Sequence, residues 1–156
     1  MIRVTGICLL ICLGFINVFS EEMTSLKNLE GKSVNLSEYP SKLIVVNFWA
    51  VWCKPCVEEF PELNQLFQRL KDRGIFVVGV SISPSKDDIE NFLEKHKIDF
   101  PILIDEQERF ANQFKVSILP TTILMDNEHN ILYKYQGFSK KELMKMESFI
   151  ENYLKR

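Results

Sequence analysis

The sequence predicts an α/β domain, because buried strands alternate with an amphipathic helix. Residues 43–50 and 75–82 are apolar runs, rich in β-branched side chains and short enough for strands buried on both faces. Between them, residues 55–72 carry apolar side chains at helical spacing, and Gly74 follows as a stop signal. This strand, helix, strand order predicts parallel pairing of the two strands. The length of 156 residues fits one domain.

The composition is that of a folded protein with no polyanionic partner. Hydrophobic residues make up 46% and charged residues 26% of the chain, and 12 Phe, 4 Tyr and 2 Trp supply large side chains for a core. These values exclude a disordered or low-complexity chain. The 19 basic and 21 acidic residues give a net charge of −2 without a basic block, so the sequence contains no electrostatic signature of nucleic-acid binding.

Residues 1–20 have the pattern of a signal peptide or an N-terminal membrane anchor. Arg3 precedes an uncharged apolar run over residues 4–19, and Ser20 offers a small residue for cleavage. The run is slightly shorter than the roughly 17–25 residues that span a bilayer, which favours a cleaved signal over a retained anchor.

Two other interpretations of this leader are less favoured. Cys8 or Cys12 could be lipidated, but neither follows the small residue that normally precedes a modified cysteine, and the leader could instead be a buried helix of a cytosolic protein. Export places the domain over residues 21–156 outside the cytoplasm. We therefore expect it in the periplasm or on the outer face of the cytoplasmic membrane.

Shorter patterns predict the remaining elements. Alternating hydrophobicity marks strands, apolar side chains three or four residues apart mark helices, and turn residues separate them. In chain order these elements are a hairpin over residues 26–29 and 33–36, a helix over 87–96, an extended piece over 100–104, a helix over 108–114, a hairpin over 121–126 and 131–136, and a closing helix over 140–154 with Leu143, Met146, Phe149, Ile150 and Tyr153 facing inward.

A Cys-x-x-Cys pair stands where the first buried strand turns into the first helix. The helix start stabilises an anion, so Cys53 is expected to have a lowered thiol pKa and to act as the nucleophile, with Cys56 as the resolving thiol. Such a short loop stabilises a fold less than a long one, which favours redox chemistry over a structural crosslink. A zinc site would need two more ligands, and beyond the leader only His96 and His129 are available. Copper-delivery proteins of a related fold are expected to have three residues between their cysteines.

Three segments together resemble a known family. They are residues 47–56 (NFWAVWCKPC), 58–61 (EEFP) and 117–122 (SILPTT). The chain resembles, from about residue 26 to 154, the thioredoxin superfamily, in its extracytoplasmic TlpA/ResA-like branch of thiol-disulfide oxidoreductases with AhpC/TSA-type redoxin relatives. This resemblance implies a thioredoxin-like fold, in which a central mixed sheet is flanked by helices, with an added N-terminal β-hairpin.

The resemblance also implies roles for residues around the cysteines. Cys53 and Cys56 would form the redox disulfide, and Pro120 would be a cis-proline that faces it. Thioredoxin has a buried Asp where this chain has Asn47, which cannot accept a proton. Glu59 lies three residues after Cys56 on the same helical face, and the glutamate at the matching place in ResA-like proteins is thought to accept the proton of the resolving thiol. A solvated acid is the alternative.

Further residues would shape substrate docking or the local backbone. The docking residues would be Trp52, Lys54, Pro55, Leu119 and Pro120. Plain packing is the alternative for the tryptophan, and a solubilising surface charge for the lysine. Pro61 is expected to kink its helix, and Gly137 matches a glycine near the active site of this fold. His129 stands where relatives carry a turn glycine, and a positive φ remains feasible there.

The resemblance implies a protein-disulfide reductase that uses neither metal nor cofactor. Its partners would be protein thiols and disulfides, including those of apocytochrome c during cytochrome c maturation, and a membrane electron donor of the DsbD/CcdA type. Alternatives are a general periplasmic thioredoxin for oxidative repair and a non-catalytic thioredoxin-fold binding module. A peroxidase of related fold would be expected to carry Thr where this chain has Ala50.

Overall fold

A seven-stranded mixed sheet forms the centre of the molecule. The computed structural model describes residues 26–155, so the predicted leader lies outside the described residues. The strands follow the spatial order β2-β1-β5-β4-β3-β6-β7. In chain order they are β1 (Leu26–Lys27), β2 (Ser33–Val34), β3 (Leu43–Trp49), β4 (Ile75–Ser81), β5 (Ile102–Ile104), β6 (Thr121–Asp126) and β7 (Ile131–Gln136).

β3 is an interior strand of the sheet, as its continuous apolar run predicts, and lies beside the middle strand β4. It pairs in parallel with β4, with Leu43 opposite Ile75, and antiparallel with β6, with Phe48 opposite Thr121. All seven of its residues are buried. The α/β class and the parallel pairing of the first two long strands are therefore confirmed.

Helices cover both faces of the sheet. They are α1 (Lys54–Leu70), α2 (Lys86–Lys95), α3 (Arg109–Gln113) and α4 (Lys140–Tyr153), and a single 3₁₀ turn spans Leu36–Glu38. One core cluster includes Phe60 and Leu63 of α1 together with Met146 of α4. The second includes Phe48 of the sheet and Phe110 of α3. Sequestering apolar surface on both faces is the main favourable contribution to folding.

The predicted N-terminal hairpin is present and extends the sheet. β1 pairs antiparallel with β2, and Lys27 pairs with Ile104 of β5. Gly31 has a φ of +79° in the connecting turn, which only glycine adopts without strain. The hairpin thus protects the outer edge of β5.

Helix boundaries and one side chain differ from the sequence prediction. α1 begins at Lys54, one residue early, because Cys53 is its N-cap. The helix continues through Pro61, whose missing N–H leaves the Val57 carbonyl without its helical donor. Phe149 was expected to face inward and is 37% exposed, which makes that prediction wrong. It stacks instead on surface side chains of α4 and β7.

The turn between β6 and β7 has the predicted positive φ. His129 has a φ of 63°, and its N–H donates to the Asp126 carbonyl. The Asp126 carboxylate also accepts from the N–H groups of Glu128 and Asn130. These bonds stabilise a left-handed residue without glycine. Among residues 26–155, no helix has the length and apolar character needed to cross a bilayer.

Candidate active site

The two cysteines lie at the junction between β3 and α1 and form a disulfide. Their Cα atoms are 5.3 Å apart. The Cys53 N–H donates to the Ala50 carbonyl, and this turn brings the chain from the strand into the helix. Cys53 is 4% exposed and Cys56 is fully buried, so the first sulfur lies nearer the surface.

Backbone donors surround the Cys53 sulfur. As N-cap of α1, Cys53 accepts the N–H of Cys56 at its Sγ atom, at 3.2 Å. The first turn of a helix presents unpaired N–H groups and the positive end of the helix dipole. In the dithiol state these groups stabilise a thiolate at Cys53 and lower its pKa.

A groove of about 510 Å³ passes over the Cys53 sulfur. Trp52, 68% exposed, stands on one side of it, together with Lys54 and Pro55. Leu119 lines the other side, so four of the five predicted docking residues meet at one surface.

Pro120, the fifth predicted docking residue, is buried behind this surface. The Leu119–Pro120 peptide bond is cis, as the resemblance implied. The Pro120 carbonyl accepts the N–H of Gly137 at 2.7 Å. Gly137 has a φ of +75° at the end of β7, and this conformation supports the close approach of the two segments.

Sequence reasoning missed several groove residues. They are Ile82, Glu108, Val116, Ser117 and Ile118. Ser117 and Ile118 belong to the segment that carried the resemblance, so their position could have been anticipated. Glu108 had no signal in the sequence, because only the path of the chain between β5 and α3 brings its carboxylate to the groove.

Glu59 lies behind the disulfide in the core, fully buried. Its Oε2 accepts from Asn47 Nδ2 at 2.8 Å, and its Oε1 accepts from the hydroxyls of Tyr135 at 2.7 Å and Thr122 at 3.4 Å. Burial raises the pKa of the Glu59 carboxyl, and the hydrogen bonds from Tyr135, Asn47 and Thr122 partly oppose that rise. The alternative of a solvated acid is therefore wrong for Glu59, whereas Glu58 is exposed.

The three residues that hold Glu59 form a row across the sheet. Asn47 on β3 is opposite Thr122 on β6, which is opposite Tyr135 on β7. Asn47 Nδ2 also donates to the Thr122 hydroxyl at 2.9 Å. Tyr135 entered the sequence prediction only as part of a hairpin, because pairing across three strands is not visible in a local pattern.

Other polar contacts hold the loops around the disulfide. The Val51 N–H donates to the buried Ser83 hydroxyl at 2.9 Å. On the opposite wall, Asp105 accepts the N–H groups of Phe110 and Ala111 at the start of α3. Burial raises the pKa of the Asp105 carboxyl, against these backbone bonds.

The histidines lie away from the cysteines. His96 stacks on Phe92 at the end of α2, with ring centroids 4.2 Å apart, and His129 is in the β6–β7 turn. Within residues 26–155, no three His, Cys, Asp or Glu side chains are grouped to hold a metal ion.

Comparison with known proteins assigns the family. The AhpC/TSA family model matches residues 22–134, well over half of the chain. The thiol-disulfide oxidoreductase ResA of Geobacillus thermodenitrificans is 36% identical over 120 residues, which cover 77% of this chain and 69% of the relative. The chain belongs to the AhpC/TSA family, among its ResA-like thiol-disulfide oxidoreductases. ResA of Bacillus subtilis is 31% identical to this ResA-like chain over 129 residues, covering 83% of it and 69% of the relative.

Solved structures show that this ResA-like protein has the thioredoxin fold. A Chlorobium tepidum protein described as a thiol:disulfide interchange protein DsbE superposes with a TM-score of 0.76 at 29% identity. The match covers 83% of this chain and 91% of that one. StoA of Bacillus subtilis has a TM-score of 0.66 at 22% identity, covering 78% and 92%. The predicted thioredoxin-like fold is therefore confirmed.

Proposed function

We propose that this ResA-like protein reduces disulfides of other proteins, with Cys53 as the attacking and Cys56 as the resolving sulfur. One observation carries the assignment of roles: Cys53 lines the open groove, whereas Cys56 is fully buried one helical turn further along. A protein substrate can therefore approach the first sulfur, and only the first sulfur is within reach of the second.

The proposed cycle begins with both cysteines reduced. The Cys53 thiolate attacks a substrate disulfide, a mixed disulfide forms, and one substrate sulfur leaves as a thiolate that takes a proton from water. Cys56 then loses its proton and attacks the Cys53 sulfur. The Cys53–Cys56 disulfide forms, and the second substrate sulfur leaves as a thiolate. Two electrons pass from the protein dithiol to the substrate.

Glu59 is the proposed acceptor of the Cys56 proton. The carboxyl is buried and raised in pKa, so it accepts a proton more readily than a carboxylate in water. It lies one turn from Cys56 on the same helix, within neighbour distance. Asn47, next to it, offers only an amide and cannot take this part.

Substrates are proposed to dock in the groove over Cys53. Trp52 supplies exposed apolar surface, Lys54 and Pro55 flank the sulfur, and Leu119 forms the facing wall beside Pro120. An extended peptide with apolar side chains next to its cysteine fits this lining.

The site of action and the partners of the reductase are also part of the proposal. The leader pattern over residues 1–20 supports an extracytoplasmic location. The similarity to ResA supports apocytochrome c as a substrate and a DsbD/CcdA-type membrane donor that regenerates the dithiol. General repair of oxidised periplasmic proteins would use the same groove and the same cycle.

Single cysteine variants test this proposal. In a C8S/C12S chain, Cys56→Ser should form a stable mixed disulfide with reduced and unfolded proteins after oxidation of the mixture, and Cys53→Ser should form none. The chain with both cysteines should reduce insulin in the presence of a thiol donor. Equal trapping by the two variants would contradict the assigned roles. No reduction of any protein disulfide would favour a non-catalytic binding module, and consumption of peroxide without a thiol protein would favour a peroxidase.

A further inference from the structure

Tyr135 contributes a hydroxyl to the Glu59 carboxyl from a strand that carries none of the predicted site residues. The hydroxyl donates to Oε1 at 2.7 Å, which is shorter than the 3.4 Å contact from Thr122 to the same oxygen. Tyr135 is 6% exposed, so little water competes for this bond. A hydrogen bond to a charged acceptor in such an environment is stronger than one between neutral groups.

The hydroxyl has a property that the other close donor lacks. Asn47 reaches Oε2 through Nδ2, which only donates. A phenol both donates and accepts, so Tyr135 can donate to the Glu59 carboxylate and can accept from the protonated carboxylic acid. Burial and the neighbouring Glu59 carboxylate raise the pKa of Tyr135, so the phenol keeps its own proton.

We propose that Tyr135 is a positioning residue whose hydroxyl holds the Glu59 carboxyl in both protonation states while that carboxyl exchanges a proton with Cys56. The proposal rests on the proton-accepting role proposed above for Glu59. Without the hydroxyl, Oε1 keeps only the longer contact from Thr122, and the carboxylate is stabilised less than the acid. The variant carboxyl should therefore hold its proton to a higher pH.

Few other groups that titrate face Glu59 within residues 26–155. From α1 the neighbour is Cys56, from β7 it is Tyr135, and the side chains presented by β3 and β6 are Asn47 and Thr122, which do not titrate. In the oxidised protein Cys56 is bonded to Cys53 and does not titrate. The oxidised form therefore isolates the response of Glu59 to its hydrogen-bond donors.

The test measures the Glu59 titration directly in the oxidised full chain. With carboxyl-labelled glutamate, the carbon NMR signal that Glu59→Gln removes belongs to Glu59. Tyr135→Phe should raise the midpoint of that signal by about one pH unit, as expected for the loss of one hydrogen bond to a buried carboxylate. An unchanged midpoint would overturn the proposal.

Tyr133→Phe is the matched control. Tyr133 lies two residues away on the same strand, and its hydroxyl donates to Glu142 at 2.7 Å instead of to Glu59. This variant should keep the wild-type midpoint. If Tyr133→Phe shifts it as far as Tyr135→Phe does, the effect is one of general packing and the proposal is wrong.

A kinetic measurement separates this proposal from the role of Glu59 itself. The release of substrate from the mixed disulfide is followed against pH in reduced wild type, Glu59→Gln, Tyr135→Phe and the double variant. Glu59→Gln should remove the rise that follows the Glu59 midpoint, Tyr135→Phe should move it to higher pH, and the double variant should match Glu59→Gln. An unchanged profile in Glu59→Gln would refute the proton role of Glu59. A shifted NMR midpoint with an unchanged kinetic profile in Tyr135→Phe alone would refute the role of Tyr135.

Incorporation of fluorotyrosine provides a test that needs no loss of the hydroxyl if Tyr135→Phe does not fold. Fluorine makes the phenol a stronger donor, so in a Tyr133→Phe background the Glu59 midpoint should move to lower pH. A midpoint that stays in place would overturn the proposal.

Discussion

Asn47→Asp would place a second carboxylate beside Glu59 in the core. Asn47 Nδ2 is 2.8 Å from Glu59 Oε2, and both side chains are fully buried. The substitution changes the shape of the side chain very little but replaces a donor by an acceptor. Two buried carboxylates at this distance cannot both be ionised without strong repulsion, so the pair should retain one proton.

The size of the effect follows from the short separation. Two unit charges about 4 Å apart repel by about 4 kcal/mol at an effective dielectric constant of about 20. In the unfolded chain both acids ionise near their ordinary pKa values, whereas the folded pair keeps a proton to higher pH. The folded state then binds more protons than the unfolded state, so its stability falls as pH rises, by about 1.4 kcal/mol per pH unit for one proton. The raised pKa of Glu59 gives wild type a slope of the same sign, and the variant should add to it.

Urea unfolding between pH 4.5 and pH 8 measures this difference. Asn47→Asp should be close to wild type at the acidic end and several kcal/mol less stable at the alkaline end. The exchanged variant N47D/E59Q restores one carboxylate and one amide, and should recover most of the lost stability. Parallel stability profiles for Asn47→Asp and wild type, or no recovery in N47D/E59Q, would refute the account of this pair.

Three further predictions concern the core, the groove wall and the docking surface. Gly79→Ala should lower the free energy of unfolding by about 1–3 kcal/mol in urea, because a Cβ there would lie 2.7 Å from Ile102 Cδ1; unchanged stability would contradict this. Asp105→Ala should cost about 1–2 kcal/mol, since the start of α3 loses the acceptor for the Ala111 N–H; a cost below 0.5 kcal/mol would show that water replaces the carboxylate. Trp52→Ala should reduce kcat/KM for insulin severalfold with stability within about 0.5 kcal/mol of wild type, and equal activity would exclude Trp52 from docking.

Strands and helices were predictable where local pattern and tertiary structure agree. The β6–β7 hairpin has the predicted bounds, because alternation and turn residues define both strands. The start of α1 was displaced by one residue, since the cap is a cysteine, which is not among the usual N-cap residues. Phe149 was misplaced because helical spacing identifies an apolar stripe but not how far the sheet extends beneath it.

The chemistry of the site was only partly visible in the sequence. The cysteine spacing identifies the redox pair, and the position of Glu59 one turn later identifies a candidate proton acceptor. The groups that set its proton affinity come from three strands, and Tyr135 is 76 residues away in the chain. Such long-range pairing depends on sheet order, which a single sequence does not determine.

The reduction potential of the Cys53/Cys56 couple tests the central claim most directly. The C8S/C12S chain would be equilibrated in thiol redox buffers and its free thiols trapped and counted. A protein-disulfide reductase predicts a value near or below the roughly −270 mV of thioredoxin. A value near the roughly −120 mV of DsbA would make the protein an oxidant and contradict the proposed direction of electron flow.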